Sequence, residues 1–289
     1  MKIIERFEAS PKGPRSEDKI AETPHYIGVF DGIGGVRSDW LEEGKTMGQW
    51  GSALAAEALA KLPDTATISD FAALAAQELH AAKERFRLGP ADRLGCSAVI
   101  LPKRRPYEIW TIGDCQFGYR DAGNWHAFPQ PKLYDDIMLN YRRLVLTQEI
   151  VASGAPATAE DRARLAKLGW ECMRETLTKQ MLMANHPDAN QELGFDVVSA
   201  TPVPAHRLRR HPLPDTVTEI ALCTDGFPRA CDTAAEAQRL LAQLRRDDPF
   251  LLGNNEARFM SFKGGFVQMM DGSIAEFYDD IAYVRIGLA

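Results

Sequence analysis

The chain has 289 residues, room for one large domain or two small ones. Hydrophobic residues make up 45% and charged residues 26%, and 34 basic against 40 acidic side chains leave a net charge of -6. That balance argues against a broad nucleic-acid or anionic-membrane surface, and it leaves metal ions open as ligands.

The five cysteines (Cys96, Cys115, Cys172, Cys223, Cys231) form no C-x-x-C pair, and the histidines form no H-E-x-x-H. Zinc chemistry is therefore not indicated, and a reducing cytoplasm is the expected compartment. Met1 to Ser10 lacks the apolar stretch of a secretory signal, and no apolar run approaches the ~18 residues of a membrane span. No repeat or low-complexity tract divides the sequence, so a single domain over residues 1–289 is expected.

In chain order, a β-rich apolar run at Tyr26 to Phe30 comes first. Two helical patterns follow. Met47, Trp50, Leu54 and Ala58 stripe one, and Phe71, Ala75, Leu79, Ala82 and Phe86 stripe the other, with Ser69 and Asp70 near its start. Strand-length runs return at Ser97 to Leu101, Glu108 to Ile112 and Phe117 to Tyr119. A long helix from about Glu160 to Met183 carries Trp170, Met173, Leu177 and Met181 on one face, read as core. Strands recur at Glu219 to Cys223 and Ile281 to Ile286. Hairpin spacing between several strands suggests antiparallel sheets with helices outside, an α+β layering.

The aspartates fall in a pattern. Tyr26 to Phe30 runs into Asp31-Gly32, Glu108 to Ile112 into Gly113-Asp114, and Glu219 to Cys223 into Thr224-Asp225-Gly226, while Asp279-Asp280 precedes Ile281. Antiparallel neighbours bring the end of one strand beside the start of the next, so these acids can converge on one rim. Clustered carboxylates raise one another's pKa, and hard divalent cations relieve that repulsion. No Lys or Arg run adjoins them in sequence. Singly, each Asp-Gly is an ordinary turn. Gly32, Gly34 and Gly35 around Ile33 allow close backbone approach, so the Gly32 carbonyl is a candidate ligand.

Val29-Phe30-Asp31-Gly32-Ile33-Gly34-Gly35 resembles the V-x-D-G-x-G-G signature of the metal-dependent Ser/Thr phosphatases of the protein phosphatase 2C type. Ser16-Glu17-Asp18, Gly95-Cys96-Ser97-Ala98-Val99, Ile112-Gly113-Asp114-Cys115, Leu222-Cys223-Thr224-Asp225-Gly226 and Asp279-Asp280-Ile281 resemble further motifs of that family, in its order. The resemblance runs from about residue 10 to the C-terminus. It implies a four-layer α-β-β-α sandwich, two mainly antiparallel sheets flanked by helices, with two Mn²⁺ or Mg²⁺ ions in a cleft between the sheets. It casts Asp31, Asp225 and Asp279 as catalytic metal ligands, with the Gly32 carbonyl on one ion. Asp18 and Glu17 would hold metal-bound waters, and Asp114 matches a residue that binds a third ion in some members. Such ions activate a water for in-line attack on phosphorus, with no phosphoenzyme. Arg15, with Lys12 as second choice, would seat the phosphate.

The resemblance also implies a phosphoprotein substrate, a cognate Ser/Thr kinase, and a cytoplasmic chain expected to be a monomer. Residues 125–195 lie between motifs and are a candidate flap. Ile33 stands where animal members carry His, Arg229 where an acid is usual, and Asp280 where Asn is usual.

Three other readings compete. Cys223-Thr224-Asp225-Gly226-Phe227-Pro228-Arg229 satisfies C-x-x-G-x-x-R, the phosphate loop of cysteine-dependent phosphatases, but Asp225 inside the cradle would repel phosphate. Gly44-Lys45-Thr46 lacks the preceding glycine of a nucleotide loop and reads as a helix start. His206 to His211 is a basic cluster that reads as a solvated edge. A binding-only pseudophosphatase or a small-molecule phosphatase remains as an alternative function.

Overall fold

A computed structural model describes residues 1–10, 16–33, 41–89, 92, 94–186, 193–248, 250, 252, 265–268, 274–277 and 279–288. Its centre is two facing sheets. One has five strands in the order β1 (Lys2–Ala9), β13 (Ile281–Gly287), β10 (Val217–Cys223), β6 (Gln116–Asp121) and β7 (Asn124–Phe128). The other runs β2 (Lys19–Glu22), β3 (Tyr26–Gly32), β4 (Gly95–Pro102), β5 (Glu108–Ile112) and β9 (Arg209–Pro212), with the two-residue β8 (Val198–Ser199) also on β4. A separate hairpin joins β11 (Gly265–Gln268) to β12 (Ile274–Phe277). Every pairing between these strands is antiparallel.

The strands read as unbroken apolar runs because both of their faces are covered. Ile27 and Val29 of β3, Val99 and Leu101 of β4, Ile220 and Leu222 of β10, and Ala282, Val284 and Ile286 of β13 fill the layer between the sheets. Their alternates turn outward. Tyr26, Phe30, Ala98 and Ile100 meet α1 (Met47–Lys61) and α2 (Ile68–Arg85). Ala221, Cys223, Ile281 and Tyr283 meet α5 (Ala234–Asp247). The result is the α+β, four-layer α-β-β-α sandwich. Two long helices, α3 (Leu133–Ser153) and α4 (Ala159–Lys179), pack on each other through Met138, Met173 and Leu177. No helix among the described residues is long and apolar enough to cross a membrane.

Helix starts follow local chemistry. Thr46 caps α1 and Thr67 caps α2, each in a reciprocal capping box with the side chain three residues on. The Gly44-Lys45-Thr46 run is therefore the approach to a helix, and Ser69 and Asp70 fall in the first turn of α2, whose cap is Thr67 with Asp70 as its box partner. Trp170 corrects the reading of the α4 stripe. Met173 and Leu177 are buried, but Trp170 is 39% exposed, and the Met181 side chain lies outside those described.

Strand β1 alternates exposed and half-buried residues, and its register breaks between Ile3 and Glu5. Ile3 packs into the layer between the sheets, whereas Phe7, an even number of residues on, packs with the α5 layer. A bulge exchanges the two faces midway. The basic cluster ends as β9, an edge strand paired to β5, consistent with charge placed on an unpaired sheet edge.

Helix α1 lies directly on β4. A Cβ added at Gly51 would overlap the backbone carbonyl of Gly95, and neither backbone has a flexible side chain to yield. Gly51→Ala should therefore destabilise the fold by about 1–3 kcal/mol. Urea unfolding should show a lower midpoint at unchanged slope. An unchanged midpoint would mean that α1 does not sit this close to β4.

Candidate metal centre at the rim between the sheets

Asp31 follows Ile27 and Val29 on one face of β3 by strand alternation, so it sits where the layer between the sheets opens at its rim. Asp114 follows β5 and Asp225 follows β10. Each of the three offers a carboxylate oxygen, and these oxygens all lie within 4.8 Å of one another. All three residues are buried. The remaining acids come from elsewhere in the chain. Asp18 immediately precedes β2, and Asp279 and Asp280 immediately precede β13.

Asp18 is strongly perturbed. Burial, then the charges of Asp279, Asp280 and Asp225, push its carboxyl well above the ordinary carboxylate range, against a hydrogen bond with Thr224 that pulls it down. Its Oδ2 is buried with no hydrogen-bond partner, although the residue is only 8% exposed. An orphaned buried carboxylate oxygen beside other acids is the donor set a hard divalent cation takes. The residues present thus fit Mn²⁺ or Mg²⁺.

The backbone around the acids is tightly drawn. A Cβ at Gly32 would overlap the Glu17 and Gly48 carbonyls, so only glycine lets the end of β3 pass between the Glu17–Asp18 segment and the start of α1. Glu17 and Asp18 then diverge. The Glu17 carboxylate accepts from the Thr46 hydroxyl at the N-terminus of α1, where a helix end favours negative charge. Its backbone N–H donates to Asp280 Oδ2 at 2.8 Å. Asp280 Oδ1 accepts from the Ser10 hydroxyl at 2.5 Å, so Asp280 ties the end of β1 and the Glu17–Asp18 segment to the start of β13. Motif likeness reads Asp280 as a mild exchange for Asn and gives no signal of this clamp. Thr224 extends it: its N–H donates to the Ala282 carbonyl, and its hydroxyl accepts from the Ala282 N–H, both at 3.0 Å.

One expectation is corrected. The absence of nearby cations in sequence suggests acids without a counter-charge, but Lys132, the residue that opens α3, places its Nζ 2.5 Å from Asp114 Oδ2. Burial pulls the ammonium pKa down, yet the charges of Asp114, Asp135 and Asp225 together hold it well above its usual value. Asp114 Oδ1 accepts from the Ser97 hydroxyl on β4. No spacing rule links residue 132 to residue 114, so only the tertiary fold brings them together.

Arg15 and Lys12, the candidate phosphate anchors, lie outside the described residues, as do Gly34 and Gly35. Ile33 packs against the Ala184, Phe195 and Val197 cluster and offers no titratable group. Arg229 is exposed and hydrogen-bonds with Cys231. The Cys223 thiol is fully buried, and its pKa is pushed well up by that burial and by the neighbouring Cys231, Asp225 and Asp18 charges. A protonated, inaccessible thiol is not a phosphate nucleophile. Burial likewise raises Cys96 and Cys115.

No protein-family model matches the chain, and no curated protein does. Solved structures do show similarity over nearly the full length. Serine/threonine phosphatase Stp1 from Staphylococcus aureus is 12% identical, with a TM-score of 0.47, over 100% of this chain and 96% of that one. The Mycobacterium tuberculosis serine/threonine phosphatase PstP/Ppp is 15% identical, with a TM-score of 0.47, over 99% of each chain. The PPM Ser-Thr phosphatase MsPP from Mycobacterium smegmatis, in complex with cacodylate, is 15% identical, with a TM-score of 0.46, over 100% of each. At these scores the sandwich rests on the chain's own strand order and register.

Proposed function

We propose that this chain is a Mn²⁺- or Mg²⁺-dependent phosphatase of the protein phosphatase 2C type, hydrolysing phosphoserine and phosphothreonine in proteins. The observation that carries the reading is the meeting of Asp31, Asp114 and Asp225 oxygens at one rim, beside an orphaned Asp18 oxygen. The order of the six sequence motifs supplies the family.

In this reading Asp31, Asp225, Asp279, Asp18 and the Gly32 carbonyl hold two ions. Bound ions would supply an activated water and neutralise charge developing on the phosphoryl group. Glu17, held by Thr46 and by its link to Asp280, fixes the segment that carries Asp18. Arg15 or Lys12 seats the phosphate. Ile33 delivers no proton, so the leaving oxygen takes its proton from water or another group. The α3–α4 helix pair within residues 125–195 is the proposed source of substrate choice. A phosphorylated protein, its kinase, a cytoplasmic setting and a monomeric state complete the proposal.

Hydrolysis of p-nitrophenyl phosphate tests it. Activity should vanish on chelation, return with Mn²⁺, and ignore thiol alkylation and Cys223→Ser. Asp31→Asn should lower kcat by about 10²-fold or more, the loss expected for several kcal/mol of charge stabilisation. Metal-independent activity abolished by alkylation would overturn the reading in favour of Cys223. Mn²⁺ binding with no hydrolysis of any phosphoester would leave a binding module.

Asp18 makes a second, independent test. Its raised pKa means that the folded, metal-free protein holds this proton more tightly than the unfolded chain does. Apo stability from this group is therefore full below the ordinary carboxylate range. It falls as pH rises through the raised pKa, and the deficit persists at neutral pH. Asp18→Asn should stabilise the chelated protein at pH 8 by about 1–2 kcal/mol and flatten its pH profile. The same variant should gain less from added Mn²⁺ than the wild type. Melting curves at pH 5 and pH 8, with chelator and with Mn²⁺, decide the point. If Asp18→Asn lowers stability in chelator at both pH values, Asp18 does not belong to the strained cluster.

A further inference from the structure

Among the described residues, Lys132 brings the positive charge that stands within an ion-pair distance of the acidic trio at the rim. It is not an exposed lysine that swings past. It occupies the cap position of α3 in an extended conformation, with φ -113° and ψ 128°, which sets the direction in which its side chain leaves the backbone. Its side chain is 16% exposed, Asp114 is 9% exposed at the side chain, and the Phe195 ring centroid lies 5.2 Å from the ammonium. Asp135, in the first turn of α3, contributes a weaker contact at 3.9 Å. Both oxygens of Asp114 are engaged, Oδ2 by the ammonium and Oδ1 by the Ser97 hydroxyl.

Geometry alone groups Asp114 with Asp31 and Asp225 as a potential ligand set. The partners separate them. Asp18 has an oxygen with no hydrogen-bond partner at all, whereas Asp114 is held by a cation and a hydroxyl at once. A divalent ion approaching Asp114 must displace a buried ammonium that has few places to go. We propose that Lys132 is a resident cation that withdraws Asp114 from metal ligation and so fixes the number of divalent ions this chain binds. The ions are left to the side of the rim formed by Asp31, Asp225, Asp18 and Asp279. This rests on the metal-dependent reading above and adds that the chain carries one of its own counter-charges covalently.

Metal count tests it without recourse to activity. Chelator-stripped protein is titrated with Mn²⁺ by calorimetry, and free Mn²⁺ is counted in parallel by electron paramagnetic resonance. Asp114→Asn should bind the same number of ions as the wild type, with affinity lowered on the order of tenfold by the now uncompensated ammonium. Lys132→Met, which keeps the length and drops the charge, should bind one ion more. The double variant should return to the wild-type count, because the freed carboxylate is gone, and to near wild-type affinity, because the charges again balance. Loss of an ion in Asp114→Asn, or an unchanged count in Lys132→Met, would overturn the proposal while leaving a metal-dependent enzyme in place. Wild-type protein that binds no Mn²⁺ would overturn both. Should Lys132→Met fail to fold by circular dichroism, the Asp114→Asn count decides alone.

Discussion

Mutual repulsion among buried carboxylates is the constraint around which this structure is arranged. Asp18, Asp31, Asp114, Asp225, Asp279 and Asp280 gather where two sheets open at one rim, and five of the six are buried. Such a group is stable only if each charge is answered. The chain answers some itself: an ammonium and a serine hydroxyl for Asp114, a backbone N–H and a serine hydroxyl for Asp280, and, for the adjoining Glu17, a helix N-terminus and a threonine hydroxyl. At Asp18 the internal answers fall short, since one oxygen is left with no partner and the carboxyl is held toward its neutral form. The distribution of partners, more than the number of acids, marks where the chain's own counter-charges fall short.

The sandwich makes that gathering feasible. Strand β3 pairs with β4 so that Asp31 lies opposite Ser97, and Ser97 in turn donates to Asp114 beyond β5. One hydrogen-bonded ladder thus fixes two of the acids relative to each other. In the opposite sheet, β10 and β13 run antiparallel with Cys223 opposite Tyr283, which puts Asp225 at the same end as Asp279 and Asp280. Apolar packing of Ile27, Val29, Val99, Ile220, Leu222 and Val284 between the sheets holds the two halves in register. The acids can repel without spreading because the strands that carry them are anchored by burial on both faces.

Much of this is legible in the sequence, for reasons that differ by element. Strands β3, β4, β5, β6, β10 and β13 announce themselves as apolar runs bounded by Gly, Pro, Asp or Asn, because strands covered on both faces need no polar alternation. Convergence of their acids follows from antiparallel geometry alone. Strand β1 does not show as an apolar run, because Lys2, Glu5, Arg6 and Glu8 interrupt it. Helix α3 does not show either. Its exposed side carries Leu133, Ile137, Tyr141, Leu144 and Val151, so the apolar contrast that marks a surface helix is blurred. With α3 unread, Lys132 has no position, and the counter-charge at Asp114 is invisible. The Asp280 clamp is hidden for another reason. Motif comparison scores a residue by likeness, whereas the hydrogen bonds from Ser10 and the Glu17 N–H depend on where the end of β1 arrives.

The same electrostatics decides between two chemistries that one short segment spells. Cys223 to Arg229 satisfies the spacing of a thiol nucleophile with its phosphate clamp, and it also contains Asp225, an acid of the rim. The two uses are physically exclusive. A thiolate needs an electropositive, accessible pocket, and Cys223 instead points into the α5 layer among Ala221, Phe227 and Tyr283 with acids close by. Every carboxylate that strengthens the demand for a divalent cation at Asp225 also raises the cost of a thiolate two residues away. Because the acids come from separate stretches of sequence, their field cannot be removed by any single substitution near Cys223. The segment is therefore committed to presenting Asp225, and the cysteine is retained as a small apolar side chain beneath it.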